Sequence, residues 1–224
     1  MNLVILTSMS PETQSVARVD GDNVVLLGGP KVYEDLDAVV PKNVTAMLNW
    51  GAVGSCSPRV GVGNLCVATS VTTQDGQHPA PAARWSHLVA RLLSMVNLSA
   101  VRQVSLYSGP VEVTNDAESK LKVFRQYGTD VADMGTWAVA RWADAHGLPW
   151  ASVGAASDAF DQTVSNFADL VDDQGNIRVP NLIGELPTSL FTLVREAWTF
   201  EAAIHSLTQA SRVLAANHWL LKHV

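Results

Sequence analysis

The sequence predicts an α/β fold in three layers, with a central mixed, twisted sheet and helices on both of its faces. Short aliphatic runs that end at Gly, Pro, Ser or Asp indicate strands. These runs are almost continuously apolar rather than alternating, which is typical of strands that are covered on both sides. The predicted strands are residues 3–7, 24–27, 44–48, 65–71, 104–107 and 150–156.

Helical patterns lie between and after these strands, with apolar residues at spacings of three and four. They predict a helix over 84–96, one that starts at Asn115 and stops at Gly128, one over 134–146, and one or two from Pro187 to the C-terminus. A helix that ends at a glycine with proline soon after, followed directly by a strand, is a join that layered α/β folds use.

The region between the last predicted strand and the C-terminal helices has a different composition. Residues 161–180 are polar, and Asp-Asp-Gln-Gly-Asn at 172–176 is a typical turn sequence. We interpret this region as an excursion or lid over the fold.

The composition predicts one folded domain over residues 1–224. Of the 224 residues, 47% are hydrophobic and only 16% are charged, so the chain can bury a large core. Fifteen basic and twenty-one acidic residues leave a net charge of -6, which disfavours nucleic acid polymers as partners. The first residues lack a basic lead, and no run reaches the ~18 apolar residues of a membrane span. We therefore expect a cytoplasmic protein without stable membrane insertion.

Cysteine, histidine and tryptophan residues indicate core and surface positions rather than a metal site. Cys56 and Cys66 match neither a redox pair nor a zinc ligand pair, and the six histidines show no ligand spacing. We expect both cysteines to be reduced and buried. Trp50, beside a glycine, lies either in the core or against a pocket, whereas three other tryptophans are expected in the core: Trp142, Trp150 and Trp198.

Two stretches carry chemical information. Asn-Trp-Gly-Ala-Val-Gly-Ser at 49–55 follows a predicted strand, and glycines there let a ligand approach backbone N–H groups. An ordinary tight turn is the alternative. Asp158 lies just past the end of another predicted strand, where open α/β sheets bind ligands, although aspartate is also a common helix N-cap.

Taken in order, these stretches resemble the nucleoside phosphorylase/nucleosidase superfamily, which includes purine nucleoside phosphorylases and methylthioadenosine/S-adenosylhomocysteine nucleosidases. The family's glycine turn and "VGD-V-V-T" strand correspond to Val-Gly-Asn-Leu-Cys-Val-Ala-Thr at 62–69. Its "Asp-Met-Glu" helix start corresponds to Asp133-Met134-Gly135, and its "R-x-I-S-D" strand to the segment that ends at Ser157-Asp158. The resemblance covers about residues 1–160. Residues 146–149 and the short length are most similar to the hopanoid-associated phosphorylase branch.

The resemblance implies the three-layer phosphorylase/hydrolase fold and cleavage of the N-glycosidic bond of a purine nucleoside or 5′-modified thionucleoside. It implies Asp158 as the general acid that protonates the departing base, and Glu12 as the residue that positions the attacking water. Glu12 is alternatively an ordinary acid in the first turn of a helix. The implied substrate-binding residues are Met9, Ala52, Val53, Gly54, Val113, Asp133, Met134, Gly135 and Ser157.

Departures from the family pattern are equally informative. Gly135 stands where the family has a Glu that binds the ribose hydroxyls, and the Arg of the "R-x-I-S-D" strand is absent. Few cations are available for phosphate, since none precedes Arg18. We therefore expect hydrolysis rather than phosphorolysis. The alternatives are a catalytically impaired member that binds a nucleoside or base, and a hopanoid-associated nucleoside phosphorylase.

The resemblance also implies which cofactors, substrates and partner chains to expect. We expect no cofactor and no metal, with phosphate as a co-substrate only in the phosphorolytic case. The expected partner is a small-molecule purine nucleoside or base. Because relatives commonly complete their pockets across subunits, we expect a homodimer or higher homo-oligomer.

Overall fold

A seven-stranded mixed sheet forms the centre of the protein in a computed structural model. The structure describes residues 2–17, 19, 23–95, 100–109, 116–164, 172, 174–176 and 187–217. Residues 95 and 187–193 are described by their backbone alone. The strands are β1 (Leu3–Thr7), β2 (Val24–Gly28), β3 (Ala46–Ser55), β4 (Leu65–Thr73), β5 (Val101–Ser108), β6 (Val131–Asp133) and β7 (Trp150–Asp158).

The strand pairing closes part of this sheet on itself. β1 lies between β2 and β3, parallel to both. β3 pairs in parallel with β7 along most of its length, and antiparallel with β6 at Gly54 and Ser55. Because β6, β5, β4 and β7 also pair in succession, five strands form a closed ring. A closed ring leaves fewer unpaired strand edges than an open sheet.

Helices cover both sides of the sheet. They are α1 (Ser10–Val16), a 3-10 helix (Pro30–Tyr33), α2 (Leu36–Val39), α3 (Ala83–Met95), α4 (Ala117–Tyr127), α5 (Thr136–Ala145) and α6 (Pro187–Ala216). No helix among the described residues is both long enough and apolar enough to cross a membrane.

Alternate residues of the central strands enter two separate cores. Leu48 and Trp50 of β3 pack in one core with α1, α3 and α6, whereas Met47 packs in the other with α2 and α5. Side chains along a strand point alternately to opposite faces, so both faces of β3 are buried. This arrangement confirms the prediction of a mixed sheet covered on both sides.

Local signals place most helix ends correctly. Asp116 is the N-cap of α4 and accepts a 2.8 Å hydrogen bond from the Ser119 amide, while Gly128 ends the helix with φ at 66°. A left-handed backbone conformation at the end of a helix favours glycine, which has no Cβ atom. The predicted cap Asn115 lies outside the described residues. α5 begins at Thr136 rather than at the predicted Met134, since Gly135 is its N-cap.

Four features of the structure differ from the predictions. The predicted glycine turn at 49–55 is the second half of strand β3, and the short strand β6 was not predicted. Trp198 was expected in the core but is 78% exposed. Trp142 is only partly buried, where its ring stacks on His146, whereas Trp150 is buried as predicted.

The polar excursion is described only in part. Gly175 has φ at 81° and donates its amide to the Asp172 carbonyl at 2.9 Å, so the predicted turn is confirmed. Its carbonyl accepts a 2.7 Å hydrogen bond from the Ser10 amide, which attaches this turn to the start of α1. Most of the remaining predicted lid lies outside the described residues.

Candidate active site

Strand β3 brings the candidate site together, because three carboxylates contact it in succession. Asp133 accepts a hydrogen bond from the Asn49 side chain, Glu12 accepts one from the Ala52 amide, and Asp158 lies against Gly54. β3 is the strand that pairs with β1, β6 and β7, and these three strands carry or precede the three acids. The part of β3 that was predicted to be a turn, residues 49–55, thus organises the site.

Glu12 is held in a fixed position by the polypeptide backbone. It is only 1% exposed, and its Oε2 accepts 2.9 Å hydrogen bonds from the Ser8 amide, the Ser8 hydroxyl and the Met9 amide. Its Oε1 accepts a 2.6 Å hydrogen bond from the Ala52 amide. Burial raises the pKa of Glu12, and these hydrogen bonds counteract part of the rise.

These contacts agree with both interpretations of Glu12. It forms a capping box with Met9 at the start of α1, which is the structural role of an acid in the first turn. A carboxylate has about four acceptor positions, and Oε1 makes one described hydrogen bond where it can make about two. Oε1 therefore retains the capacity to accept a hydrogen bond from a water molecule.

Gly51 provides the space that Glu12 occupies. A Cβ atom at this position would lie 2.6 Å from Glu12 Oε1 and 2.9 Å from its carboxyl carbon. Glycine inside a strand typically marks a close approach of this kind. The sequence predicted that glycine here lets a ligand approach the backbone. At Gly51 the group that approaches the backbone is instead the Glu12 side chain.

Asp158 lies at the end of β7 and forms a buried ion pair. It is 4% exposed, and its Oδ2 is hydrogen-bonded to Nζ of Lys120, which is 0% exposed. The other oxygen, Oδ1, accepts a 2.9 Å hydrogen bond from the Ser157 hydroxyl. Burial raises the pKa of Asp158, and the Lys120 ammonium opposes that rise. Asp158 is the last residue of a strand and caps none of the described helices, so the N-cap alternative was wrong.

Asp133 is engaged by protein donors on both oxygens. Oδ1 accepts from the Ser108 hydroxyl at 2.5 Å and the Thr136 amide at 3.2 Å. Oδ2 accepts from the Thr136 hydroxyl at 2.5 Å and the Asn49 amide group at 3.2 Å. Burial raises its pKa despite these bonds. All four acceptor positions are therefore used, and a substrate that binds Asp133 has to replace one of these partners.

The space beside Gly135 is occupied by Tyr33. A Cβ at Gly135 would lie 2.9 Å from Cε1 and 3.0 Å from Cζ of Tyr33, and 3.2 Å from Asn49 Oδ1. The Tyr33 hydroxyl donates to that same oxygen at 2.8 Å. Burial raises the pKa of Tyr33 well above its ordinary value, and the charges of Glu12 and Asp133 add to the effect. A glutamate side chain at position 135 therefore meets an aromatic ring.

The other predicted binding residues lie along the same edge of the sheet. Met9 is 9% exposed and contributes its amide to Glu12, while Met134 is 47% exposed beside Asp133. The Ser157 hydroxyl, which donates to Asp158, also lies 3.3 Å from the Val53 carbonyl oxygen. Ala52 and Gly54 are partly exposed, whereas Val53 is buried. Val113 lies outside the described residues.

Other predicted side chains have structural positions. Trp50 is fully buried and donates its indole N–H to the Ser15 hydroxyl at 3.0 Å, which places it in the core rather than against a pocket. Cys56 and Cys66 are buried and free, as predicted, and burial raises the pKa of each thiol to about 12. In the part of the chain that the structure describes, no three potential metal ligands cluster.

Sequence reasoning missed two residues that shape the site. Lys120 lies on the buried stripe of α4 together with Val123, and a lysine at such a position is a signal that a buried anion is nearby. Tyr33 gave no comparable signal, because it ends a short 3-10 helix far from Gly135 in the sequence.

Comparisons with known proteins agree with this architecture. A family model described as the phosphorylase superfamily matches residues 34–183, which is more than half of the chain. The chain belongs to the phosphorylase superfamily. This membership and the fold confirm the resemblance seen in the motifs. No curated protein matches this phosphorylase superfamily member.

Solved structures similar to this superfamily member share its whole length at low identity. Futalosine hydrolase of Helicobacter pylori strain 26695 has a TM-score of 0.73 at 11% identity and covers 97% of this chain and 98% of its own. The 5′-methylthioadenosine/S-adenosylhomocysteine nucleosidase of Neisseria meningitidis, in complex with methylthio-immucillin-A, has a TM-score of 0.73 at 12% identity, covering 96% and 99%. A putative nucleosidase of the same kind from Francisella philomiragia has a TM-score of 0.69 at 16% identity, covering 100% and 99%. These likenesses establish the fold.

Proposed function

We propose that the protein hydrolyses the N-glycosidic bond of a purine nucleoside or 5′-modified thionucleoside. The observation that carries the proposal is the pair Glu12 and Asp158, both buried and both in contact with β3, at Ala52 and Gly54 respectively. These two positions are about 7 Å apart along an extended strand, so both acids lie against the same short stretch of β3.

The two carboxyl groups have different roles in this proposal. Glu12 accepts a hydrogen bond from the attacking water on Oε1 and takes its proton as the water bonds to the sugar carbon. The electron pair of the broken C–N bond passes to the purine, which receives a proton from the Asp158 carboxyl. Comparison structures that share the fold are named as nucleosidases and a futalosine hydrolase, which supports this reaction type.

The contacts of Lys120 favour water over phosphate as the nucleophile. The Lys120 ammonium has three protons, and it contacts Asp158 Oδ2, the Ala159 carbonyl at 2.9 Å and the Gln162 carbonyl at 2.7 Å. Every proton therefore already has a partner, and Lys120 is not available to bind phosphate.

A direct assay tests the proposal. Pure protein is incubated with methylthioadenosine, S-adenosylhomocysteine, adenosine, inosine and futalosine, each with and without phosphate, and the released base is quantified. We expect release from at least one nucleoside, independent of phosphate. Glu12→Ala and Asp158→Asn should each abolish it, while Glu201→Gln, an exposed acid on α6, should leave it unchanged. The absence of free base in every wild-type reaction would refute the enzymatic proposal.

A second function is favoured by the contacts around Gly135. Tyr33 and Asn49 occupy the space beside Gly135, and the oxygens of Asp133 are fully engaged. A member of the family that binds a base or nucleoside without cleaving it fits these observations. Adenine or a nucleoside would then raise the melting temperature while no base is released.

We further propose that the protein acts without a cofactor and on a small molecule, as a homo-oligomer formed by a single domain over residues 1–224. The cytoplasm is the proposed compartment. Size-exclusion chromatography with light scattering measures the oligomeric state, and limited proteolysis measures the extent of the domain.

A further inference from the structure

The most unusual feature beside the proposed acid is a completely buried lysine. Lys120 is 0% exposed, which is rare for this residue type unless it is paired. Its three acceptors are one carboxylate and two backbone carbonyls, all provided by residues 158–162 at and after the end of β7. Three oxygen acceptors satisfy a charged ammonium completely, whereas a neutral amine would leave one of them facing a lone pair.

We propose that Lys120 is a positioning residue that keeps Asp158 an anion in the resting enzyme. The inference rests on the proposed function for its catalytic meaning. The general acid then carries no proton at neutral pH, and it has to take one from solvent before the glycosidic bond breaks. After the proton passes to the departing base, Asp158 is again the anion that pairs with Lys120. Glu12 returns the proton of the attacking water to solvent, so charge and protons balance over one turnover.

Other ionisable groups near Asp158 do not replace this partner. Glu196 on α6 lies close enough for its negative charge to raise the pKa of Asp158. Cys56, after the end of β3, faces both Lys120 and Asp158, and burial keeps its thiol neutral with a pKa of about 12. Ser157 donates a neutral hydroxyl to Asp158. Lys120 is therefore the cation that opposes burial and the charge of Glu196 at this carboxyl group.

The geometry also gives Lys120 a second effect on the site. Its bonds to the Ala159 and Gln162 carbonyls hold the chain that follows Asp158, and the Gln162 side chain accepts a 3.4 Å hydrogen bond from the Ala159 amide. Asp158 is thus fixed both by its own strand and by the turn after it. Removing the lysine changes the charge and the position of the carboxyl group together, so the test has to separate these effects.

The decisive measurement is a titration of the Asp158 carboxyl carbon by NMR in protein labelled with ¹³C-aspartate. The signal is assigned by its loss in Asp158→Asn. In the wild type we expect the chemical shift of a carboxylate at neutral pH. In Lys120→Met we expect the midpoint of the titration to move up by about 1–3 pH units, the effect of removing a neighbouring opposite charge. Lys122→Met, an exposed lysine two positions along the same helix, is the control and should leave the midpoint unchanged.

The pH dependence of kcat/KM provides the matching kinetic measurement. Its falling limb reports the acid of the free enzyme, so that limb should move to higher pH in Lys120→Met and remain in place in Lys122→Met. Lys120→Arg, which retains a cation, should keep the midpoint close to that of the wild type. A change in position alone would lower kcat without moving the limb.

The outcomes distinguish this inference from the proposed function. A protonated Asp158 in the wild type at neutral pH, or equal midpoints in Lys120→Met and Lys122→Met, would overturn the inference even if base is released. If no variant releases base, the proposed function fails, while the NMR titration still decides the state of Asp158. If Lys120→Met does not fold, the wild-type titration and Lys120→Arg decide it.

Discussion

Replacing Gly51 by alanine tests whether β3 holds Glu12 where the structure places it. The added carbon would lie 2.6 Å from Glu12 Oε1, well inside the 3.5–4.0 Å of an ordinary contact, so the carboxylate has to withdraw by about 1 Å. The 2.6 Å hydrogen bond from the Ala52 amide is then lost. A hydrogen bond to a charged group contributes about 1.5–3 kcal/mol to the free energy of unfolding.

This loss has two measurable consequences. For a chain of this size the melting temperature falls by about 3–12 °C, as measured by calorimetry or circular dichroism. Displacement of a catalytic group by about 1 Å lowers kcat/KM by about 10²-fold in the base-release assay. Gly61→Ala is the matched control, because Gly61 is exposed and the nearest atom to its added carbon is 3.9 Å away.

The refuting result is equally clear. If Gly51→Ala and Gly61→Ala melt at the same temperature and release base at the same rate, Glu12 does not lie against β3. The site as described, and the role of Glu12 in positioning water, would then both be wrong.

Three further predictions concern the pH dependence of stability, the core and the space beside Gly135. Burial raises the pKa of Asp133 in the folded protein above its unfolded value of 3.8, so the native state binds more protons than the unfolded state between these two pKa values. The contribution of Asp133 to the free energy of unfolding therefore increases as pH falls through this window. Asp133→Asn should reduce this increase, as measured by denaturant titrations at a series of pH values. Trp50→Phe should lower the free energy of unfolding by about 1–3 kcal/mol, because the buried Ser15 hydroxyl loses the indole N–H that donates to it. Trp198→Phe, at an exposed position, should leave the free energy of unfolding unchanged. Equal losses in the two variants would contradict the burial of Trp50. Gly135→Glu alone should lower the melting temperature and gain no activity, because the new side chain meets Tyr33. Combined with Tyr33→Ala, the same change should lower the melting temperature less. A wild-type melting temperature for Gly135→Glu alone would show that Tyr33 does not fill this space.

Much of the fold could be predicted because strands and helices leave local patterns in the sequence. The apolar run at 3–7 corresponds to β1, and the glycine at 128 ends α4 as expected. Trp198 shows the limit of such patterns. It recurs at helical spacing with Val194, yet these residues are 78% and 58% exposed. Periodicity groups residues on one face of a helix, but it does not say whether another element covers that face.

The sequence by itself determined the fold class, the superfamily motifs and the two acids that we propose as catalytic, because each depends on residues that are neighbours in the chain. Only the tertiary structure decided what surrounds them. Lys120 meets Asp158 across 38 positions, and Glu12 meets Ala52 across 40. Such pairings depend on the order and register of the strands, which local periodicity does not encode. Burial, hydrogen bonds and neighbouring charges then shift the pKa of each acid, so their chemistry follows from contacts that no short motif contains.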